Sequence, residues 1–175
     1  MENIKKEKDI SFVLDARMVT KNGLSFLLKA TEQQCLDLAK FYELPALSNL
    51  VFDFFICLKD DLIVLKGFLD ADVIETCVVT NEKFEEHIHQ PVSLLFSEDE
   101  SVVKMQESKM DFSPDEELID FVENGRIYFS SIVREQFGLA LNPFPKKTNE
   151  PFAYYEEKAQ DIKDNPFLVL KHLTK

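Results

Sequence analysis

Three long runs of alternating side chains, separated by short polar turns, leave the middle of this chain few ways to fold. In residues 50–58, Leu50, Phe52, Phe54, Ile56 and Leu58 fall on one side and Val51, Asp53, Phe55 and Cys57 on the other. A period of two sorts these sets onto the two faces of a β-strand, whereas a helix brings apolar residues back every three or four positions. Asp60-Asp61 turns the chain into residues 62–79, which also alternate and are too numerous for an ordinary strand. Gly67 is the expected place for a bend or bulge within that run. Thr80-Asn81 leads into residues 83–96, where Phe84, Ile88, Val92, Leu94 and Phe96 keep the period as far as Pro91 allows. The expected centre is an antiparallel meander.

Before it, residues 9–15 read as a first strand and residues 24–28 as a second, pairing with the first or with the meander. Thr31-Glu32-Gln33-Gln34 has the form of a capping box and opens a helix over residues 31–43, with Cys35, Leu38, Ala39 and Tyr42 on one face and Pro45 as its stop. After the meander, residues 97–117 read as an acidic, partly flexible loop in which Val102-Val103-Lys104-Met105 forms at most a short edge element. Residues 118–122 are a further strand and Asn124-Gly125 a turn. Ser130 or Ser131 caps a helix that points Ile132, Val133, Phe137 and Ala140 inward and ends at Asn142-Pro143.

The last part of the chain, residues 145–175, reads as a charged tether ending in a short helix. Asn165 is its N-cap, Pro166 its first residue, and Phe167, Leu170 and Leu173 recur at helical spacing. So short a helix needs a surface to dock on. The expected fold is therefore one α+β domain over residues 9–144. Its strongly curved antiparallel sheet, free to close partly into a barrel, packs with two main helices at residues 31–43 and 130–141.

Composition narrows function. Sixteen Phe and only four Gly in 175 residues suit a packed core and exclude a glycine-rich phosphate cradle. Of the formal charge of -12, residues 31–96 carry -8 and residues 97–126 carry -7, against +2 for residues 1–30 and +1 for residues 127–175. Direct contact of the middle with bare nucleic acid is disfavoured, because such binding draws on basic side chains and released counterions. A basic protein is the easier partner, and a merely solvated acidic face is the plain alternative. Three widely spaced cysteines, Cys35, Cys57 and Cys77, outline neither a disulfide framework nor a zinc knuckle. No apolar run approaches the roughly 20 residues that span a bilayer, and no signal-like segment follows the charged start, so a cytoplasmic protein without a membrane partner is expected.

Among candidate chemical sites, His87, His89 and Glu85 share one strand face, which is a zinc-ligating geometry short of a fourth ligand. Solvated strand residues account for them better. Asp70 and Asp72 are spaced for acid-base work, yet a Lys66, Asp70, Asp72 stripe is also what a wet sheet surface looks like. Cys77 reads as buried and inert, with no nearby positive charge to stabilise its thiolate. No catalytic residue, metal, cofactor or small-molecule substrate is expected. Basic residues gather in the two arms, at Lys5, Lys6, Lys8, Arg17 and Lys21 and at Lys146, Lys147, Lys158, Lys163, Lys171 and Lys175. If the arms converge they can touch RNA phosphates, although no aromatic RNA-binding motif or GXXG loop accompanies them.

Several segments occur together in a telling order. They are Leu65-Lys66-Gly67-Phe68-Leu69 running into Thr76-Cys77-Val78-Val79-Thr80, then Glu123-Asn124-Gly125-Arg126-Ile127, then residues 131–145 from Ser131 through Glu135 and Gly138 to Asn142-Pro143-Phe144-Pro145, and last Asn165-Pro166-Phe167-Leu168-Val169-Leu170. In this order, over roughly residues 9–173, the chain resembles the YceD family of bacterial proteins, also called large ribosomal RNA subunit accumulation proteins. The helix at residues 31–43 resembles the form in alphaproteobacterial members. The resemblance implies a non-enzymatic factor supporting synthesis, processing or stability of 23S ribosomal RNA, with a basic ribosomal protein or maturation factor as partner and rRNA contacted indirectly if at all. It singles out Glu135, Asn165, Pro166, Phe167 and Leu170 for partner contact. Some members carry Cys-x-x-Cys at the position of Cys77; here Thr80 replaces the second thiol, which argues against a metal. Where the family often has Asp before the helix of Glu135, this chain has Tyr128. The alternatives are a direct RNA binder using the basic arms and a hydrolase-like enzyme with a His/carboxylate site.

Overall fold

The computed structural model describes residues 5–107 and 118–147. The meander is present as three strands, β4 (Ala46–Lys59), β5 (Leu62–Thr76) and β6 (Lys83–Ser97), each 14 or 15 residues long. Asp60 and Asp61 both take left-handed backbone, φ 50° and 64°, which gives the two-residue hairpin turn whose twist suits antiparallel strands. Ahead of the meander come β1 (Lys6–Asp9), β2 (Val13–Asp15), β3 (Leu24–Lys29) and helix α1 (Glu32–Phe41). After it come α2 (Glu100–Glu107), β7 (Ile119–Phe121), β8 (Arg126–Tyr128) and α3 (Phe129–Ala140).

The main sheet runs β1-β3-β4-β5-β6-β7, and β2 pairs with β8 in a separate two-stranded sheet. One face of the main sheet supplies the core. Phe26, Leu28, Phe52, Phe54, Leu65 and Leu69 are buried there against Phe129, Val133 and Phe137 of α3 and Cys35, Leu38 and Ala39 of α1. Burying such side chains contributes roughly 1.5–3 kcal/mol each. The Thr31 capping box forms at the start of α1, with the Gln34 amide donating to Thr31 Oγ1 and the Thr31 amide to Gln34 Oε1. Among the described residues no helix is long and apolar enough to cross a membrane.

Several expectations need correction. The sheet is neither closed nor strongly curled, so it is not barrel-like. Its two edges are short strands, β1 and β7, each joined in parallel to its single neighbour, so the sheet is mixed. Three α-helices, not two, occur among the described residues, because the acidic stretch after residue 97 folds as α2. There the Asp99 carboxylate accepts from the Ser101 amide and hydroxyl, Lys104 pairs with Glu100 one turn away at 2.7 Å, and Val103 is buried. Those local bonds outweigh the polar composition.

The single strand expected over residues 9–15 is two strands. The Asp9 carboxylate takes the Ser11 amide at 2.7 Å and its hydroxyl at 2.6 Å, which turns the chain between β1 and β2. Gly67 is no bulge, since pairing runs unbroken through Phe54↔Gly67↔Val92; the register shift lies instead in β4 between Ser48 and Val51, where Asn49 has φ 53°. Helix α3 starts at Phe129 behind Tyr128, without a side-chain cap from Ser130 or Ser131. The Phe129 amide donates to the Phe12 carbonyl, and its ring, stacked on Phe54, fixes the entry. The expected C-terminal helix lies outside the described residues.

Candidate functional site

The face of the sheet turned away from α1 and α3 carries the ionisable residues that the alternation had sorted outward. Register places Asp70 directly opposite His89 and Asp72 directly opposite His87. His89 Nδ1 lies 2.6 Å from Asp70 Oδ1, and His87 Nδ1 lies 2.7 Å from Asp72 Oδ1. The bulge in β4 turns Asn49 so that its side-chain amide donates to Asp72 Oδ2 at 2.7 Å. Asn49 first and His87 second hold the Asp72 carboxyl below its ordinary range, since both stabilise the ionised form. Phe68, one step along β5, stacks on the His89 ring at 4.9 Å.

This ladder does not assemble a reacting centre. His87 and His89 keep 61% and 56% of their side chains exposed, so bulk water reaches both rings. Glu85 sits opposite Ile74 at the next position, and no group of three His, Cys, Asp or Glu suited to a metal occurs among the described residues. Ser48 stands in the same row, but Asp72 lies between it and His87. Two strand spacings, roughly 9.6 Å, separate their backbones, and His87 Nδ1 is turned to Asp72. The ladder can hold protons and accept hydrogen bonds from a cation. It resembles the wet acidic surface anticipated for Lys66, Asp70 and Asp72, now joined to the histidines by register.

Toward the β5–β6 turn the ladder opens into a groove of about 490 Å³ bordered by Ser48, Asp72, Glu85, Glu86 and His87. Beside it lies Glu75, a residue that the sequence reading did not single out. It continues the buried face of β5, is 3% exposed, and its Oε2 has no hydrogen-bond partner. Burial first, then the charge of Glu86, pushes its carboxyl up to about 7 from 4.5. The folded protein therefore binds this proton more tightly than the unfolded chain. The contribution of Glu75 to stability is fullest below pH 4.5 and is lost as pH rises through 7. Glu75→Gln should raise stability at pH 8 by about 1–2 kcal/mol, roughly half of the full linkage because water screens Glu86, and change it little at pH 4.5. Urea titrations at the two pH values check this; equal effects at both would remove the buried carboxylate as the cause.

Cys77 is fully buried, as expected, and its thiol is ringed by hydrogen-bond donors. The Thr80 hydroxyl, followed by the backbone amides of Lys147, Thr80 and Val79, lowers it to about 7. Those donors come from the turn itself and from the segment after α3, whose Pro145 carbonyl accepts the Val78 amide at 3.0 Å. Hydrogen bonds thus do what the missing positive charge would have done. Thr80, the departure from Cys-x-x-Cys, is itself the first of these donors.

Glu135 is exposed on α3, and its charge is felt by Asp120 of β7 and by Tyr42 after α1. Next to it, Arg134 covers the Phe41 ring at 5.4 Å and accepts the Tyr42 hydroxyl on its carbonyl at 2.7 Å. Asn165, Pro166, Phe167 and Leu170 lie outside the described residues. The basic arms are partly neutralised where they are described: Lys5 pairs with Asp53, Arg17 with Asp15 and Lys147 with Glu82. Lys5 precedes edge strand β1 while Lys147 sits at the β5–β6 turn, with β3 and β4 between them in the sheet. Comparison with protein-family models, with curated proteins and with solved structures finds no match for the chain.

Proposed function

We propose that this protein is a non-enzymatic factor supporting the synthesis, processing or stability of 23S ribosomal RNA, acting by holding a basic ribosomal protein or maturation factor. The observation that carries the reading is the open acidic groove, where Asp72, Glu85 and Glu86 border a space of about 490 Å³ with exposed His87 at its side. Two carboxylates, those of Asp72 and Glu85, on one accessible face favour a cationic protein side chain over phosphate. Further support comes from the segments that resemble the YceD family. Val78 in the second of them meets Pro145 in the fourth, and Leu65 to Leu69 form the centre of β5.

The two alternatives have less behind them. Carboxylates already pair with Lys5, Arg17 and Lys147, which leaves the arms a weaker grip on RNA. A hydrolase needs a nucleophile next to His87, and Ser48 is on the wrong side of Asp72. Depletion of the protein should lower the ratio of mature 23S to 16S rRNA or lead to accumulation of 23S precursors, as measured by RNA blotting. Unchanged 23S levels and unchanged precursor processing in a depleted strain would end this reading.

A further inference from the structure

β6 is 15 residues long, yet β7 pairs with it only at Leu95, Phe96 and Ser97. Over residues 83–90 the outer edge of β6 has no neighbouring strand among the described residues. An antiparallel neighbour on one side leaves alternate residues pointing N–H and C=O away from it, so this edge presents about four such residues. Pro91, which has no N–H to give, ends the run.

The side chains along this edge are sorted by face. Lys83, Glu85, His87 and His89 lie on the outer face with Asp72 and Asp70, while Phe84 and Ile88 lie on the other with Glu86. A second copy of the edge is a poor neighbour, because it brings the same excess of acid, Asp70, Asp72, Glu85 and Glu86 against Lys83, to the joint. An extended segment with basic residues at alternate positions suits it better. Side chains two residues apart in a strand are roughly 6.8 Å apart on one face, the same repeat as Glu85, His87 and His89. Its other side chains, if apolar, would reach Phe84 and Ile88.

We propose that residues 83–90 of β6 take an extended segment of alternating basic and apolar residues as an added strand, with Glu85 beside its cationic side chains and the Asp70/Asp72 ladder one strand further in on the same face. The inference rests on the basic-protein reading above and names the surface that would serve it. Main-chain hydrogen bonds supply the affinity in such strand addition, and the side-chain pattern supplies the choice of partner.

The test uses the full-length protein at pH 7.5 and an end-blocked octapeptide of alternating lysine and valine. Amide exchange over residues 83–90 should slow about tenfold on binding. The same peptide N-methylated at alternate residues, which keeps its charge but loses its donors, should bind at least about tenfold more weakly. Glu85→Lys, at an exposed position that leaves unfolding unchanged, should weaken the unmethylated peptide by a similar factor, and an alternating glutamate-valine peptide should not bind. Equal affinity for the N-methylated peptide, or slowed exchange only outside residues 83–90, would overturn the proposal. Failure to bind while depletion still lowers 23S rRNA would refute the strand-addition site alone. Binding at this edge with normal 23S rRNA after depletion would refute the function alone.

Discussion

Gly67→Val is expected to cost the fold about 4 kcal/mol, lowering the urea midpoint while leaving the slope of the transition unchanged. A Cβ at Gly67 would lie 2.2 Å from the Asp53 carbonyl oxygen, 2.6 Å from Phe54 Cβ and 2.7 Å from Phe54 Cα. None of these atoms can rotate aside. They belong to β4, which pairs with β5 at this point and is held on its other side by β3. Gly67→Ala should already lose roughly half as much. An alanine variant with an unaltered midpoint would show that β4 can withdraw, and the close approach would then not explain the glycine.

The second large effect is at the joint between the two sheets. Phe129 is fully buried, its ring stacked 4.6 Å from Phe54 of the main sheet and 5.8 Å from Phe12 beside β2. Phe129→Ala should cost about 3–5 kcal/mol through lost burial and the cavity left behind. For a protein of this size that corresponds to a fall in melting temperature of about 10 °C. Phe129→Leu keeps most of the volume and should lose about half. A loss below about 1 kcal/mol for the alanine variant, measured by thermal unfolding, would mean that neighbouring rings collapse into the space and that the joint is not rigid.

These two residues show which parts of the fold a reader of the sequence can reach. Alternation located β4, β5 and β6, because a half-buried strand must separate its side chains by face, although β4 starts earlier, at Ala46, and β5 ends at Thr76 and not at Val79. Asp60-Asp61 even gives the β4–β5 register, since a two-residue turn leaves only one way to pair Lys59 with Leu62 and count back to Val51 and Asp70. The β5–β6 register was hidden. A two-residue turn at Thr80-Asn81 would have set His89 opposite Asp72, but the strands stop at Thr76 and restart at Lys83, so the histidines meet different carboxylates.

What closes that longer turn is non-local. Cys77 exchanges backbone hydrogen bonds with Glu82 and Asn81, and Val78 bonds to Pro145, far along the chain. The edge strands were equally out of reach, because β1 and β7 join in parallel through contacts that no local pattern announces. Helix α2 was missed for another reason: Asp99 and the Glu100–Lys104 pair make an acidic stretch look solvated when it is locally well bonded. At the candidate site the outward set of residues was legible, but their partners were not. Glu75 gave a usable signal that went unread, as a charged residue in the inward phase of an alternating run.

The bond from Pro145 to the β5–β6 turn also fixes where Lys147 comes to lie. Lys147 reaches Glu82, the residue immediately before β6, at 3.0 Å. Both ends of one joint thus meet at the start of β6, where the edge over residues 83–90 has no neighbouring strand among the described residues. Whatever lies along that edge abuts the Glu82–Lys147 pair, so loosening the pair with Glu82→Gln would change the boundary of the edge without touching a residue of β6.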